Sequence, residues 1–420
     1  MPASPSSIPL RPLEGLRVIV GVCAGIAAYK AAHVVRALAE LGADVRVVPT
    51  KNSLEFVGAA TWEALSHNPV RTSVFEDVDS VAHVRLGQEA DAILVVPATA
   101  DFMASVRMGR ADDLLSASLL VTRAPVIFAP AMHTEMWEHP ATRDNVDVLR
   151  SRGVHVIEPA SGRLTGADTG VGRLPEPEAI VQFTQSVLAA GERERDLEGS
   201  HIVITAGGTS EALDPVRVLT NRSSGKQGAA LARAACVRGA RVTLVLAGSN
   251  IVPPAGVEVV RAVSAADLAL AVRELEGKAD ALIMAAAVSD FTPEASGSKI
   301  KKREGESGLT LHLTETEDIL RGLTERRVPG RRPRAICGFA AETGDEHSSA
   351  LAHAKRKAQA KGADLLAFND VSKNGFGSDH NELTFLGSSG EILGAASGSK
   401  DEVSHAMLDH VAALLTREHG

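Results

Sequence analysis

Short apolar runs alternate with helix-like stretches along the chain, and the same order occurs twice. In the first half, RVIVGV is followed by a glycine-containing loop, an alanine-rich segment that ends near Gly42, and a second apolar run, DVRVV. In the second half, HIVITA precedes a glycine-containing loop, an alanine-rich segment from about Gly225 to Arg238, and RVTLVLA. A strand, a glycine turn, a helix and a second strand form a right-handed parallel crossover. The pattern therefore predicts two α/β domains.

Both halves continue with apolar runs that show no polar alternation. These runs are DAILVVP, APVIFAP and GVHVIEP in the first half, and ADALIMAAA, RAICGF and ADLLAFN in the second. Strands that are buried on both faces have this pattern, as in a parallel sheet covered by helices. We therefore expect two doubly wound, mainly parallel α/β domains of the Rossmann-like kind. Ligands bind beyond the carboxyl ends of the strands in such sheets, so the loops there are the candidate sites.

The ends of the two domains follow from local signals. A charged stretch, AAGERERDLEGS at residues 189–200, separates the two patterns and favours a linker. Ser399 and Glu402 have the spacing of a capping box, and apolar residues at helical spacing follow them, which predicts one last helix. We expect a tail over 1–14, a first domain over 15–190, a linker over 191–198 and a second domain over 199–420.

Composition narrows the classes of function. The net charge is −8 with both signs interspersed, and 45% of the residues are hydrophobic, which indicates a globular chain rather than a disordered one or a basic nucleic-acid binder. Aromatic residues make up only 3%, which also argues against base-stacking platforms. No apolar run reaches the roughly 18 residues of a membrane span. We therefore expect a cytoplasmic protein without nucleic-acid or membrane partners.

Three cysteines, Cys23, Cys236 and Cys337, are too few and too widely spaced for a disulfide framework or a cysteine-rich metal site. We expect each of them to be a small, buried hydrophobic residue.

The loop GVCAGIAAYK at residues 21–30 is the first candidate site. It leads from a strand into a helix and contains Gly21 and Gly25. Exposed amides at a helix start attract phosphate, but a tight packing turn explains this loop equally well. The string is not GxGxxG, and no acidic residue follows about 20 positions later, as a nicotinamide site requires. A nicotinamide-dependent dehydrogenase is therefore the weaker alternative.

Taken in order, GVCAGIAAYK, SVAHVRLGQEADAILVVPATADFMA, GRADDLL, APAM and SGRLTGADTGVGRL resemble the flavin-dependent cysteine decarboxylases. The resemblance implies a flavodoxin-like flavoprotein domain that forms trimers, binds FMN and acts on an acylated cysteine. It assigns FMN contacts to Gly21, Gly25, Ala98 and Thr99, and an essential catalytic role to His83. A neutral imidazole can accept a proton while the thiol is oxidised or can steer the carboxylate.

Two positions depart from that family. Met132 and His133 match substrate-binding positions, but the family has asparagine where His133 stands. The family's flap also carries a cysteine, where this chain has Gly166. We expect full turnover to persist, with His133 as the first candidate for the missing polar role and Thr165 or water as other proton donors. The alternative is a flavin-binding scaffold that does not decarboxylate.

The stretch TAGGTSEALDPVRVLTNRSSGKQGAALA, at residues 205–232, is the most informative one in the second half. Gly207 and Gly208 follow a strand, and the loop 221–228 leads into a helix. Amides, two hydroxyls and a lysine that converge at a helix start would bind phosphates. The loop does not match GxxxxGK[ST], and on its own an ordinary polar loop explains it as well.

Lysines further on suggest a second cationic element. The string KIKK followed by GESG favours a hairpin arm that places Lys299 and Lys301 on one face. Lys357 and Lys361 share a helix face because they are four residues apart. A lysine-rich edge that discourages aggregation, or a solvated helix face, would give the same patterns.

In this order, the second-half motifs with AAAVSDF, GFAAET and AKRKAQAKGADLLAFND resemble phosphopantothenate-cysteine ligase, and both halves together resemble the bifunctional bacterial enzymes of coenzyme A biosynthesis. The resemblance implies a dimeric ligase domain that uses CTP and Mg²⁺ to convert 4'-phosphopantothenate and cysteine through an acyl-cytidylate. It gives Lys299 a catalytic role in the first step and Asn221 a catalytic, substrate-binding role in the second. The implied nucleotide contacts are Gly207, Gly208, Ser223, Ser224, Gly225, Asp290, Lys299, Phe339, Lys357 and Lys361. We assign Mg²⁺ no protein ligand, because it prefers phosphate oxygens and water.

Overall fold

A computed structural model of the protein describes residues 11–72, 81–164, 168–301, 308–345, 347–372 and 378–416. The chain divides into two compact units, unit 1 (Met1–Leu188) and unit 2 (Ala189–Gly420). Each unit has its own sheet and its own core.

Unit 1 is built on a parallel five-stranded sheet. Its strands are β1 (Arg17–Val22), β2 (Asp44–Pro49), β3 (Ala92–Ala98), β4 (Val126–Pro130) and β5 (His155–Val156). A short hairpin consists of β6 (Ala160–Arg163) and β7 (Thr169–Arg173). The helices are α1 (Ala28–Glu40), α2 (Ala59–Ser66), α3 (Ala82–Glu89), α4 (Ala100–Arg107), α5 (Leu114–Val121), α6 (Thr134–Glu138), α7 (Pro140–Ser151) and α8 (Pro177–Ala190).

The strand order in unit 1 is β2-β1-β3-β4-β5. Every residue of β3 is buried, which is why its sequence shows no polar alternation. Helix α1 instead buries one side, through Ala28, Ala31, Val34, Val35 and Leu38, at the spacing of a helix that packs on a sheet. This order, 2-1-3-4-5, is that of flavodoxin-like doubly wound sheets.

Unit 2 has a larger sheet of eight strands. These are β8 (His201–Gly207), β11 (Arg241–Ala247), β12 (Glu258–Ala262), β13 (Ala281–Met284), β16 (Ala335–Glu342), β17 (Leu365–Asp370), β18 (His380–Leu386) and β19 (Ile392–Ser399). Two short hairpins pair β9 (Ser210–Ala212) with β10 (Val218–Thr220), and β14 (Phe291–Pro293) with β15 (Leu313–Glu315). The helices are α9 (Lys226–Val237), α10 (Ala265–Glu276), α11 (Ile319–Arg326), α12 (Ala350–Lys361) and α13 (Lys400–Thr416).

The strand order in unit 2 is β12-β11-β8-β13-β16-β17-β18-β19. The first six strands are parallel and follow the 3-2-1-4-5-6 order of dinucleotide-binding folds. The last two strands extend the sheet as an antiparallel hairpin, which the sequence pattern does not predict. The predicted doubly wound, mainly parallel α/β class is confirmed for both units.

The final helix also forms as predicted. Glu402 N donates to Ser399 Oγ over 3.2 Å, and Glu402 Oε2 accepts from Ser399 N over 2.6 Å. This reciprocal capping box starts α13, which buries Val403, Met407 and Val411 in the core of unit 2.

Residues just before β8 are anchored to the second unit by an ionic cluster. Leu197 is fully buried in its core. The Arg238 guanidinium is 2% exposed and donates to Asp196 Oδ1 and Asp409 Oδ1, each over 2.8 Å, and to His405 O over 2.9 Å. A guanidinium can be buried when its donors are met in this way.

None of the three cysteines forms a disulfide, and two of them are buried as predicted, whereas Cys236 is only partly buried. Cys23 and Cys337 are fully buried, and burial raises the pKa of the Cys23 thiol to about 12, so it remains protonated at neutral pH. Within the described ranges, no helix combines the length and the apolar character that crossing a bilayer requires.

Candidate active sites

The first candidate site lies where the strand order of unit 1 reverses, between β1 and β3. Cys23 N, just after β1, donates to Pro97 O of β3 over 3.2 Å, so the loops that follow these strands are neighbours. Ala98 ends β3, and Thr99 caps α4 by accepting a hydrogen bond from Phe102 N over 3.3 Å. In sheets of this order, the flavin binds at this point.

Two glycines of the first loop have different surroundings. Gly21 lies within β1, and a Cβ atom there would be 2.6 Å from Leu115 Cδ2, so its hydrogen gives α5 room to pack. Gly25 lies in the turn before α1, and a Cβ atom there would meet nothing within 4 Å. The structure thus combines both interpretations of the loop: Gly21 serves packing, whereas Gly25 opens a space at a helix N-terminus, where phosphate is favoured.

His83 lies in the first turn of α3 and is partly buried. Its Nδ1 atom is buried and has no hydrogen-bond partner within the described part of the chain. Val81, two residues earlier, has φ +46°, a strained conformation for a β-branched residue. A buried, unpartnered imidazole nitrogen is costly unless another group meets it. A polar group of a bound ligand fits that requirement.

The loop after β4 packs against the β6–β7 hairpin of unit 1. Met132 N donates to Gly172 O over 2.9 Å, and a Cβ atom at Gly172 would be 2.2 Å from Met132 O. The glycine therefore lets β7 approach the Met132–His133 loop closely. His133 Nδ1 lies 3.2 Å from Asp168 Oδ2. Gly166 and Thr165, the flap positions of interest, lie outside the described residues.

The second candidate site is a cavity of about 630 Å³ in unit 2. The loops after β8 and β13 meet here, at the point where this sheet reverses its strand order: Ala287 N donates to Gly207 O over 2.8 Å. The cavity size is typical of small-molecule sites. Among the predicted site residues, those that line it are Asn221, Ser223, Ser224, Gly225, Asp290, Phe339, Lys357 and Lys361.

Gly207 and Gly208 support this cavity without lining it. Gly207 has φ +88°, and a Cβ atom there would be 1.9 Å from Ala247 O. A Cβ atom at Gly208 would be 3.0 Å from Asn221 O. Both glycines therefore let the adjacent loops approach each other closely. They support the cavity wall from behind and are not part of its lining.

Asn221 is held by its side chain. Its Nδ2 donates to Val288 O over 3.0 Å, which leaves Oδ1 as an acceptor beside the cavity. Ser223 Oγ and Ser224 Oγ accept from the amides of Gly225 and Lys226, each over 3.4 Å, so both hydroxyls lie at the start of α9. The predicted combination of hydroxyls and a helix N-terminus is present.

Lys357 and Lys361 extend from α12 into the cavity, but both have carboxylate partners. Lys357 Nζ donates to Glu342 Oε1 over 2.8 Å, and Lys361 pairs with Asp318. The pairs hold the two ammonium groups at the cavity wall. A phosphate that binds there would share them with these acids.

The predicted hairpin arm around Lys299 is wrong for the residues that the structure describes. Residues 298–301 form no strand, and the local antiparallel pairing joins β14 with β15 instead. Ile300 N donates to Asp214 Oδ2 over 3.1 Å, and Arg217 Nη2 donates to Ile300 O over 2.7 Å. These bonds require the local backbone to bend toward Asp214 rather than pair as a strand. Lys299 does not line the cavity, and residues 302–307 lie outside the described ranges.

Asn369 and Lys400 are among the cavity-lining residues that the sequence did not predict as site residues. Asn369, at the end of β17, has a buried Oδ1 atom with no partner among the described residues. Lys400, the first residue of α13, also lines the cavity. The strand-end string FND pointed toward Asn369, whereas no local signal distinguishes Lys400 from an ordinary helix residue.

The fold and the sites define a two-unit, doubly wound α/β protein of the nucleotide- and flavin-binding kind, with a candidate ligand site at the switch point of each sheet. Residues 6–189 match the family model "Flavoprotein", and residues 197–415 match the "DNA/pantothenate metabolism flavoprotein C-terminal domain". The chain is 52% identical over 410 residues to a coenzyme A biosynthesis bifunctional protein of Mycolicibacterium smegmatis, covering 96% of this chain and 99% of that protein.

A protein of the same name from Bacillus subtilis is 41% identical over 409 residues, covering 96% of this chain and 98% of the relative. A solved C-terminal domain of such a protein is 32% identical, with a TM-score of 0.44, and covers 53% of this chain and 98% of that one. The chain belongs to the family of coenzyme A biosynthesis bifunctional proteins, with a flavoprotein decarboxylase domain and a ligase domain. The predicted family, fold class and pair of activities are confirmed, and the dehydrogenase alternative is set aside.

Proposed function

We propose that unit 2 joins 4'-phosphopantothenate to cysteine using CTP, and that unit 1 decarboxylates the product to 4'-phosphopantetheine using FMN. The carrying observation is the 630 Å³ cavity, which gathers Asn221, the α9 N-terminus and the two α12 lysines at a sheet switch point. CTP is assigned on the sequence resemblance alone. Mg²⁺ would be bound by the triphosphate and water. The enzyme would act in the cytoplasm on small molecules, without nucleic-acid or membrane partners.

In the first ligase step, a carboxylate oxygen of 4'-phosphopantothenate attacks the α phosphorus of CTP, and pyrophosphate leaves. Negative charge accumulates on the phosphates, so preorganised donors around them lower the barrier. Ser223, Ser224 and Gly225 supply hydroxyls and the helix start, and Lys357 and Lys361 supply charge. Lys299 is proposed to reach the phosphates from the Asp214-anchored segment.

In the second ligase step, the cysteine amine attacks the acyl carbon of the acyl-cytidylate, and CMP leaves with the bond to its phosphate oxygen. Asn221 is held by Val288 O in an orientation that directs its Oδ1 toward this intermediate. Asp290 and Phe339 line the same space and would contact the nucleotide. The amine must lose a proton as the amide forms, which a nearby carboxylate or water can accept.

In unit 1, FMN would supply the hydride acceptor that oxidises the substrate thiol and so makes loss of carbon dioxide feasible. Gly25, Ala98 and Thr99 would contact its phosphate and ribityl chain, and Gly21 lets α5 pack against β1 through Leu115. His83 would accept the thiol proton or steer the carboxylate. His133, oriented by Asp168, and Met132 would bind the substrate.

A homo-oligomer is part of the proposal, with trimeric contacts through the flavin domain and dimeric contacts through the ligase domain. Unit 1 exposes Ile26 and Tyr29 beside the proposed FMN site, at 60% and 56%. Unit 2 exposes Val216 and Val218 around the β9–β10 hairpin, and Leu313 on β15. Exposed apolar side chains grouped on a surface are typical of interfaces.

The function is tested with the full chain, 4'-phosphopantothenate, cysteine, CTP and Mg²⁺, with products identified by mass and pyrophosphate measured separately. We expect 4'-phosphopantetheine, pyrophosphate, CMP and carbon dioxide, and we expect ATP to support the reaction poorly. Accumulation of phosphopantothenoylcysteine without carbon dioxide would identify unit 1 as a flavin-binding scaffold. Absence of pyrophosphate would overturn the ligase assignment.

Replacing the two glycines of the first loop separates packing from cofactor binding. Gly21→Ala is expected to lower the free energy of unfolding by about 1–3 kcal/mol, because its methyl group overlaps Leu115. Gly25→Ala is expected to leave stability within about 0.5 kcal/mol and to weaken FMN binding about tenfold, because a methyl group enters the phosphate space. Thermal unfolding and flavin absorbance measure both effects. Full flavin occupancy in Gly25→Ala at limiting FMN would contradict the assignment.

A further inference from the structure

Lys400 occupies an unfavourable position unless a ligand compensates it. It is partly buried at the cavity wall, and its Nζ has no hydrogen-bond or ion-pair partner within the described residues. It starts a 17-residue helix, where the helix dipole disfavours a cation. Burial lowers the pKa of Lys400. The negative charge of Asp379 opposes this shift, and the positive charge of Lys226 adds to it.

Neighbouring acids do not neutralise this ammonium group directly. Asp379 Oδ1 accepts from Lys226 Nζ over 2.6 Å, while Asp379 O accepts from the backbone amide of Lys400 over 3.0 Å. In the first turn of α13, Asp401 pairs with Arg233 over 2.9 Å, and Glu402 is used in the capping box. Among the described residues, the Asp379 carboxylate therefore lies near both lysines: it pairs with Lys226, and its charge acts on Lys400 without a direct contact to that ammonium group.

The backbone at Lys400 is fixed against the candidate phosphate loop. Gln227 Nε2 donates to Ser404 Oγ over 2.9 Å and to Lys400 O over 3.5 Å. Asn381 Nδ2 donates to Gln227 Oε1 over 3.0 Å. The starts of α9 and α13 thus lie side by side, and both add positive potential to the same end of the cavity.

We propose that Lys400, together with Lys226, forms a phosphate subsite at the α9–α13 end of this cavity. The inference rests on the proposed ligase function, which supplies two phosphate-bearing molecules, CTP and 4'-phosphopantothenate. Free cysteine does not fit, because its carboxylate is balanced by its own ammonium group. Lysines act as point charges that suit phosphate, whereas planar carboxylates are more often bound by the paired donors of arginine.

The subsite is tested first without turnover, by titrating the full-length protein with inorganic pyrophosphate in a calorimeter. Lys400→Met is expected to raise the dissociation constant about tenfold or more, as for loss of a charge-assisted contact, and Lys226→Met to raise it similarly. Lys400→Arg should retain most of the affinity. Lys278→Met is the matched control, because Lys278 is exposed and does not line the cavity. Affinity within twofold of wild type in Lys400→Met would overturn the proposal.

Steady-state kinetics then identify the source of the phosphate. A raised KM for CTP alone assigns the subsite to the nucleotide, and a raised KM for 4'-phosphopantothenate alone assigns it to the acyl substrate. The KM for cysteine should not change in either case. If neither phosphorylated substrate has a raised KM in Lys400→Met, the proposal is wrong even though the wild-type protein ligates. Because pyrophosphate binding needs no turnover, failure of the ligase assignment is distinguishable from failure of the subsite.

Discussion

Asn221→Asp is expected to lower the rate of amide formation at least about a hundredfold, comparable to the loss of one preorganised hydrogen-bonding group at a reaction centre. In the structure, Asn221 Nδ2 donates to Val288 O over 3.0 Å. An aspartate has no N–H for that carbonyl, so two oxygens would repel each other and the side chain would turn. Its negative charge would also lie beside the negatively charged acyl phosphate of the acyl-cytidylate. Pyrophosphate release, which comes first, should fall much less.

The two ligase steps can be separated by measuring pyrophosphate and amide in the same single-turnover reaction. Asn250→Asp is the matched control, since Asn250 is exposed, does not line the cavity and gains the same charge. It should leave both steps unchanged. An equal loss of pyrophosphate and amide in Asn221→Asp would contradict the assignment of Asn221 to the second step.

His83→Gln is expected to lower carbon dioxide release from phosphopantothenoylcysteine by about 10²–10⁴-fold, the range for loss of a general acid–base group. Glutamine keeps a polar side chain in the first turn of α3 but cannot exchange a proton near neutral pH. Since the His83 Nδ1 atom has no described partner, its removal breaks no described side-chain hydrogen bond. The free energy of unfolding and the FMN content should therefore remain close to wild type.

Carbon dioxide release, flavin absorbance and thermal unfolding are measured on the same preparation. His33→Gln is the control, because His33 is exposed on α1, and it should retain full activity. Undiminished carbon dioxide release in His83→Gln would remove His83 from the mechanism. Loss of flavin together with activity would instead indicate a role in holding the cofactor.

Most of the fold follows from local patterns, but the outer part of the second sheet does not. Buried parallel strands such as β3 and β8 are continuous apolar runs, so their sequences identify them directly. Strand β19, ILGAASGS, consists largely of small and polar residues and is nowhere fully buried. It forms because β18 offers a partner edge, with His380 opposite Ser399. Such pairing is a tertiary effect that no single segment encodes.

The candidate site residues also differ in how far local sequence patterns predict them. The loop 221–228 was predictable because its hydroxyls, amides and helix start are contiguous in sequence. Lys400 was not, since its backbone reaches that loop through Gln227, 173 residues away. The strand predicted around Lys299 does not form over the described residues for a related reason: Asp214 binds the amide of Ile300, so the segment does not pair as a regular strand. Spacing alone cannot reveal a distant carboxylate.

The buried guanidinium of Arg238 limits where an independently folding ligase fragment can start. One of its carboxylate partners, Asp196, and the fully buried Leu197 both precede β8. A polypeptide that began at Gly199 would lack both residues. The Arg238 guanidinium would then keep one of its two carboxylate partners, Asp409, and the core surface that Leu197 covers would be exposed. Genetic separation of the two activities, whether in the laboratory or by gene fission during evolution, therefore has to keep Asp196 and Leu197 on the ligase side.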